Sequence, residues 1–414
     1  MKIGFAGATH LGICHATVAA SKKNKVILYD EDNLIINNLK DFKFNFYEPQ
    51  LLELFKKFRK NIYFTSDIKD LNNSDIIYVS KDTPINSKNE SDYSDLKNII
   101  KKINNKINKK KILVILSQVY PGFTEKIKWN KNKLYYQVET LIFGMAIKRA
   151  MTPVQIIIGG YKLGEQNLLK KYLDQYNCPI KFMNYKSAEL AKIAINLYLI
   201  SSISFTNTLS EICEKIGADW YKIKNILHND QRIGKKAYLN PGLGVLSGNL
   251  QRDLQTSIKI QKKYKCKSDV LKSFNRNSRY RSEWILKKLE LVKKNNYKIG
   301  IFGLTYKENI SFLTNSPALK VIKKFPNHQF LLNDPVVKKI NLKSKNFNFE
   351  KDIKTFFKNI KILLLLTPWK LIKDEKNQKI LNKYYKGDFI IDPYNIINKD
   401  LIKGSKVLSM GIKS

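Results

Sequence analysis

The chain has 414 residues, 43% of them apolar, and a formal net charge of +40 at pH 7. This length is too great for one ordinary hydrophobic core, so we expect two or three domains that are globular throughout. No apolar run reaches the about 18 residues of a membrane span, and the first residues lack the pattern of a signal peptide. We therefore expect a cytoplasmic protein with no membrane partner.

The positive charge is spread along the whole chain. Its densest runs are residues 109–111, which include no aromatic residue, and residues 262–267, in which Tyr264 stands alone. A nucleic-acid surface combines a basic stripe with repeated aromatic residues for base stacking. The distribution of the charge therefore argues against a nucleic-acid partner. The same positive electrostatic field would also attract an anionic small substrate.

The cysteines are scattered without C-x-x-C spacing. There are four: Cys14, Cys178, Cys213 and Cys266. This spacing argues against a zinc site and against a disulfide framework, so we expect reduced thiols and no metal.

Short apolar runs alternate with amphipathic stretches in the first part of the chain. Five of these runs predict strands: Lys2–Ala6, Lys25–Tyr29, Asp75–Ser80, Lys111–Ser117 and Val154–Gly159. Such alternation predicts a parallel sheet covered by helices on both faces.

A glycine turn, Gly7-Ala8-Thr9-His10-Leu11-Gly12, follows the first predicted strand and precedes a predicted helix. This is the context in which backbone N–H groups and a helix N-terminus receive the pyrophosphate of a dinucleotide. Thr9 occupies the middle position, where glycine normally lets the pyrophosphate approach. The alternative is a glycine turn that only packs a helix against a strand.

Asp30 ends the second predicted strand, at about the 20-residue distance from which a carboxylate reaches a ribose hydroxyl. The same carboxylate would repel a 2′-phosphate. The pattern therefore favours NAD over NADP as the cofactor.

The middle of the chain changes to a helical pattern from about Ser187 to Gly217. A helix of about 30 residues would be about 45 Å long, so it could connect two domains or pair with a second subunit. After about residue 296 the alternation returns and predicts four further strands: Tyr297–Gly303, Gln329–Asn333, Ile360–Leu366 and Asp388–Asp392. We therefore predict a second nucleotide-type sheet.

Short motifs occur in a fixed order over the whole chain. They include Tyr47-Glu48-Pro49, Thr83-Pro84, Ser117-Gln118-Val119-Tyr120-Pro121-Gly122, Ser187-Ala188-Glu189-Leu190, Gly303-Leu304-Thr305-Tyr306-Lys307 and Asp392-Pro393-Tyr394-Asn395. In order and spacing they resemble the nucleotide-sugar dehydrogenases, the UDP-glucose and GDP-mannose dehydrogenase family. The stretch Gly242-Leu243-Gly244 with Gly248-Asn249-Leu250-Gln251-Arg252-Asp253 resembles the family's catalytic loop G-x-G…C-x-P-K-D.

The resemblance implies an α/β fold with two Rossmann-like parallel-sheet domains joined by a central helical domain that carries the long helix. The implied domains are an NAD-binding domain at 1–185, a helical dimerisation domain at 186–295 and a nucleotide-sugar-binding domain at 296–414. It further implies a homodimer, NAD as the cofactor and a small nucleotide sugar as the substrate. In the family, the C6 hydroxyl of the sugar is oxidised twice to a uronic acid.

Site residues follow from the motifs and the resemblance. Those expected at the cofactor are Gly7, Thr9, Gly12, Asp30, Thr83 and Gln118. Those expected in catalysis are Lys192, Asn196, Asp253, Glu139 and the loop position Asn249. Those expected at the substrate are Arg232, Gly244, Arg252 and Lys307.

Lys192 and Asn196 stand four residues apart on one predicted helix, so their amine and carboxamide project from the same face. Two such donors could stabilise a developing alkoxide, while Asp253 could accept the hydroxyl proton. The alternatives are a solvated helix face and an ordinary loop carboxylate.

Asn249 stands where the family has its nucleophilic cysteine. An amide nitrogen, delocalised into its carbonyl, cannot attack an aldehyde as a thiolate does. The residue at this position therefore favours oxidation that stops at the aldehyde over oxidation to the acid. The alternative is a catalytically silent nucleotide-binding homologue that acts as a partner or regulatory protein.

Overall fold

The computed structural model describes residues 1–86, 90–294, 297–344 and 346–413. They form two compact units, Met1–Ile195 and Asn196–Ser414, which divide within the long helix. The α/β class with two Rossmann-like sheets and a helical region is confirmed. The predicted boundary between residues 295 and 296 lies outside the described residues, and the division into three domains stays a prediction.

The first unit is built on one sheet, whose strand order in the described chain is β3-β2-β1-β4-β5-β6-β7-β8. Its strands are β1 (Lys2–Ala6), β2 (Lys25–Tyr29), β3 (Ile62–Thr65), β4 (Ile76–Val79), β5 (Ile112–Ile115), β6 (Leu134–Gln137), β7 (Ile156–Gly160) and β8 (Ile180–Met183). All five predicted strands are present, whereas β3, β6 and β8 were not predicted. The strands pair in parallel except β6 with β7.

Helices connect these strands. They are α1 (His10–Ser21), α2 (Asn33–Lys40), α3 (Leu51–Lys57), α4 (Ser94–Lys106), α5 (Ala146–Met151), α6 (Leu168–Leu173) and α7 (Tyr185–Ile216), the last of which continues into the second unit. The predicted long helix is therefore confirmed with nearly the predicted ends, and it stops before Gly217, whose φ is +81°.

Both faces of the first sheet are buried, because successive side chains of a strand point to opposite sides. Phe5 of β1 and Tyr78 of β4 stack on one face with their ring centroids 5.3 Å apart. Ile77 belongs to the opposite face, in a cluster with Leu96 and Ile100 of α4. Strands buried on both faces read as continuous apolar runs, which is why β1, β2, β4, β5 and β7 could be predicted.

The second unit contains a second parallel sheet, with the order β11-β10-β9-β12-β13-β14 in the described residues. Its strands are β9 (Ile299–Phe302), β10 (Phe330–Asn333), β11 (Phe347–Phe349), β12 (Ile362–Leu365), β13 (Phe389–Asp392) and β14 (Lys406–Ser409). The four predicted strands are present, and β11 and β14 are additional. Its strands β11-β10-β9-β12-β13 follow the same order as β3-β2-β1-β4-β5 of the first sheet. This doubly wound order is typical of nucleotide-binding folds, so both sheets are of the nucleotide type.

The helices of the second unit complete the chain. They are α8 (Trp220–Asn229), α9 (Gly248–Lys263), α10 (Val270–Ser282), α11 (Trp284–Val292), α12 (Pro317–Lys324), α13 (Ile353–Lys358), α14 (Lys370–Lys373) and α15 (Glu375–Tyr384).

By length and composition, α7 is long and apolar enough to cross a membrane, and 33% of its most apolar window is buried within the protein. Core helices of soluble proteins share these properties, so the helix is weak evidence for a membrane.

Candidate active site

The glycine turn lies between β1 and α1, and packing requires glycine at both of its ends. Gly7 has φ +120°, and a Cβ there would come within 3.0 Å of the Lys81 backbone nitrogen. A Cβ on Gly12 would lie 2.0 Å from the carbonyl oxygen of Gly7. Helix α1 therefore approaches the sheet closely, as a dinucleotide turn requires.

Thr9 caps the N-terminus of α1. Its hydroxyl donates to the carbonyl oxygen of Ser80 at 2.7 Å and accepts from the Gly12 N–H at 3.4 Å. The side chain of the non-glycine residue is therefore held by the end of β4 and by its own helix, in the manner of an N-cap.

Asp30 lies at the end of β2, as predicted, but its carboxylate is already engaged. It is 1% exposed and accepts from the Ala8 N–H of the glycine turn at 2.8 Å. The ammonium of Lys81 lies 3.1 Å and 3.2 Å from its two oxygens. Lys81 was missed in the sequence because nothing in its neighbourhood marks it as a partner of Asp30.

Thr83 and Gln118 follow the carboxyl ends of β4, which neighbours β1 in the sheet, and of β5, which neighbours β4. Thr83 is buried. The predicted cofactor residues therefore share one edge of the sheet, at the point where the strand order reverses. That edge is where doubly wound sheets bind nucleotides, so the residues present fit a dinucleotide such as NAD.

Glu139 follows β6 and pairs with His15 of α1, with 2.5 Å between Oε2 and Nε2. Burial acts to raise the pKa of Glu139, but the imidazole, the Leu141 N–H and the charge of Lys192 hold that pKa below its usual range. Glu139 is therefore ionised at neutral pH. His15, on a helix 124 residues earlier, was not predicted, since a lone histidine on a helix carries no pattern.

Asn196 and Asp253 meet within the second unit. The Asn196 carboxamide donates to Oδ2 of Asp253 at 2.5 Å, and both residues are buried. Arg252 lies beside them, with 3.6 Å between its Nε and Oδ1 of Asp253. The amide hydrogen bond thus orients the carboxylate, and the guanidinium adds a longer ion-pair contact.

Asn207 holds the G-x-G loop that precedes α9. Its side-chain oxygen accepts from the Gly242 N–H at 2.9 Å, and the residue is fully buried. Asn196 and Asn207 are eleven residues apart, about three helical turns, so they lie on the same face of α7. This periodicity is the signal that could have identified Asn207 in the sequence.

Gly244 has φ +84° and faces Ser278 of α10, where a Cβ would lie 2.4 Å from the Ser278 carbonyl oxygen. Glycine is required at this position both by the close approach to Ser278 and by the positive φ. Asn249 lies in the first turn of α9 and is exposed.

The other predicted substrate residues lie in loops. The guanidinium of Arg232 is exposed and bound to Asp230 of the same turn, with a shortest distance of 2.6 Å. Lys307 follows β9, in a loop where the Thr305 hydroxyl donates to the Lys307 carbonyl oxygen at 2.6 Å.

Cys14, Cys178, Cys213 and Cys266 form no disulfide. Within the described part of the chain, no three His, Cys, Asp or Glu side chains are grouped so as to hold a metal ion.

One nucleotide-type sheet before the long helix and one after it, with a dinucleotide turn at the end of β1, are typical of a dinucleotide-binding protein. Three family models match successive parts of the chain: the NAD binding domain over residues 1–176, the central domain over 186–279 and the UDP binding domain over 300–399. The chain belongs to the UDP-glucose/GDP-mannose dehydrogenase family.

Curated relatives match over nearly the whole chain. The UDP-glucose 6-dehydrogenase of Rickettsia typhi is 27% identical over 435 residues, covering 100% of both chains. The UDP-glucose 6-dehydrogenase of Bacillus subtilis is 27% identical over 417 residues, covering 96% of this chain and 90% of the relative.

Solved structures show the same fold. A UDP-glucose dehydrogenase from Pyrobaculum islandicum superposes with a TM-score of 0.86 at 20% identity, covering 100% of this chain and 98% of the other. A UDP-D-ManNAc dehydrogenase from Pyrococcus horikoshii gives 0.82 at 21% identity, covering 99% of each.

Proposed function

We propose that this chain is an NAD-dependent nucleotide-sugar dehydrogenase that oxidises the C6 hydroxyl of a UDP-sugar or a related anionic sugar. The observation that carries the proposal is the buried hydrogen bond from Asn196 to Asp253, at 2.5 Å. A carboxylate that is held in one orientation can accept a hydroxyl proton that comes within hydrogen-bond reach.

The glycine turn after β1, with Asp30, Thr83 and Gln118, would hold NAD, which would supply the acceptor for the hydride of C6. The chain supplies the other half of the reaction, which is loss of the hydroxyl proton. Asp253 takes that proton directly or through a water molecule, because Asn196 holds its carboxylate in one orientation. Lys192 and Asn196 stand one turn apart on α7 and donate to the oxygen as its negative charge develops.

The proposed reaction ends at the aldehyde. In the family, a cysteine adds to the aldehyde, a second hydride leaves and the resulting thioester is hydrolysed. Asn249 provides no thiolate for the addition. Glu139 is ionised and could activate a water molecule, but the position of a second family glutamate is taken by Phe143. The product is then an aldehyde or its hydrate.

Substrate binding is assigned to positive groups and to the catalytic loop. Arg232, Arg252 and Lys307 would meet phosphate or sugar oxygens, since guanidinium and ammonium groups are good donors to anions. Gly244 shapes the loop that precedes α9, the helix in which Asn249 lies. The second sheet matches the UDP binding domain of the family, which supports a nucleotide sugar as the substrate.

The proposed enzyme is a homodimer formed through α7. Tyr198, Phe205 and Ile212 recur every seven residues on this helix and are 80%, 67% and 47% exposed. A heptad stripe of large apolar side chains is suited to pairing with a second helix. In the family the arginine at position 232 reaches the substrate across the dimer, which agrees with the exposure of this guanidinium. The unlinked cysteines support a cytoplasmic protein.

The test is a screen of UDP-, GDP- and TDP-sugars with NAD, following NADH absorbance and identifying the product by mass. We expect one NADH per sugar consumed and an aldehyde as the product. Two NADH and a uronic acid would show that the reaction does not stop. A protein that binds NAD but forms no NADH with any sugar would be catalytically silent.

A further inference from the structure

Each of the two sheets has an equivalent hydrogen bond at its own carboxyl edge. Ala8 donates its N–H to Asp30, and Leu304 donates its N–H to Asp334, each at 2.8 Å. In both cases the donor follows the glycine after the first strand, and the acceptor follows the second strand. The bond between turn and carboxylate is therefore a part of this fold.

The two aspartates differ in their other partners. The second oxygen of Asp334 accepts from the backbone N–H groups two and three residues further along, each at 2.8 Å. Asp30 accepts one such bond, from the Asp32 N–H at 3.2 Å, and also receives the ammonium of Lys81, which follows β4, the strand next to β1. Among the residues that the structure describes, an ion pair on this carboxylate occurs at Asp30 and not at Asp334.

Lys81 changes what Asp30 can offer to a ribose. A carboxylate has about four acceptor positions. Those of Asp30 receive the Ala8 N–H at 2.8 Å, the Asp32 N–H at 3.2 Å and the ammonium at 3.1 Å and 3.2 Å. A ribose hydroxyl can be accepted only if the ammonium moves aside.

Lys81 also neutralises the negative charge of Asp30, which would otherwise repel a 2′-phosphate. The carboxylate at this position selects NAD because it repels a phosphate on the 2′-oxygen. Here the ion pair is close to neutral, with side-chain exposures of 16% for Lys81 and 1% for Asp30. An ammonium with three donors can keep one on Asp30 and turn another to a phosphate oxygen.

We propose that Lys81 is a specificity-determining residue of the cofactor site, and that it lets this site bind NADP as well as NAD. The carboxylate of Asp30 alone predicts rejection of NADP, and the ion pair reverses that expectation. The proposal rests on the NAD-binding domain and does not depend on which sugar is oxidised.

Calorimetry with nucleotides alone tests the proposal apart from the dehydrogenase reaction. The probes are NAD, NADP, 5′-AMP and adenosine 2′,5′-bisphosphate, titrated into the full chain. For the unmodified protein we expect NAD and NADP to differ by less than about tenfold, since no isolated charge opposes the phosphate. In Lys81→Met, affinity for NADP and for the bisphosphate should fall by about tenfold or more relative to NAD and 5′-AMP.

Two further variants control for charge and folding. Lys102→Met removes an equal charge from an exposed pair with Glu31, and the NADP to NAD ratio should stay within about twofold. Lys81→Arg keeps the charge and should keep the ratio within about threefold. The proposal is overturned if the unmodified protein prefers NAD by more than about tenfold, a result that needs no folded variant. An unchanged ratio in a folded Lys81→Met protein overturns it too.

Discussion

Asn196 donates a hydrogen bond to Asp253 at 2.5 Å, and the two residues are 5% and 2% exposed. They come from different helices, α7 and α9, and lie 57 positions apart in the sequence. A buried carboxylate is costly unless it is paired and hydrogen-bonded, so this contact stabilises Asp253 in its buried position and fixes its orientation.

We first predict that Asn196→Ala lowers kcat with a UDP-sugar by about a hundredfold, because it removes both a donor to the alkoxide and the orienting bond on Asp253. The measurement is the initial rate of NADH formation at saturating NAD. Asn277→Ala is the matched control, since this amide donates to Thr208 and takes no part in the proposed chemistry. A variant with the rate of the unmodified enzyme would remove Asn196 from the proposed mechanism.

The second prediction concerns position 249, in the first turn of α9. Asn249→Ala should keep most of the first oxidation, since removal of one hydride and one proton needs no covalent intermediate. Asn249→Cys should gain a second hydride transfer, because a thiol at a helix N-terminus ionises readily and can add to the aldehyde. Mass spectrometry of the protein should then show a thioester adduct.

Hydrolysis of that adduct is expected to be slow, with Phe143 in place of a glutamate. Complete loss of NADH formation in Asn249→Ala would instead give the amide a direct part in the first oxidation.

The third prediction is that Phe205→Glu produces a monomer. The substitution places a charge in the middle of the exposed stripe on α7, where it would be desolvated in a dimer. Light scattering after gel filtration at micromolar concentration gives the molar mass. Ile226→Glu on α8 is the control, because this side chain is also apolar and 70% exposed but lies on another helix. A monomeric unmodified protein would contradict the dimer itself.

The fourth prediction is a pH dependence of stability caused by Asp392, at the end of β13. Burial raises the pKa of this carboxyl to about 6, and hydrogen bonds donated by the backbone N–H groups of Tyr394, Ile396 and Ile397 offset part of the effect. Between about pH 4 and pH 6 the folded protein retains a proton that the unfolded chain releases. Stability should therefore fall as the pH rises through this window, by up to about 3 kcal/mol.

Thermal unfolding of the unmodified protein and of Asp392→Asn at pH 4, 5, 6 and 7 measures this effect. The asparagine cannot lose a proton, so the difference in Tm between the two proteins should change between pH 4 and pH 6 and then level off. A constant difference over the whole range would show that Asp392 is ionised throughout.

Much of the fold could be predicted because its strands are buried on both faces and appear as uninterrupted apolar runs. β1 and β2 have the predicted ends, Lys2–Ala6 and Lys25–Tyr29. β8 was missed because it lies at the edge of the sheet and is partly exposed, so its residues, Ile-Lys-Phe-Met, show no such run. β6 pairs with β7 in the antiparallel sense, which the parallel pattern did not indicate.

The sequence by itself determined the family, the glycine turn, the long helix and the residues whose motifs stand close together in the chain. Local signals suffice there, because turns, caps and apolar periodicity depend on neighbouring residues. Only the tertiary structure decided what those residues touch. Lys81 lies 51 positions from Asp30 and His15 lies 124 positions from Glu139. Such pairs depend on which strands and helices pack together, and a buried charge takes its partner from that packing.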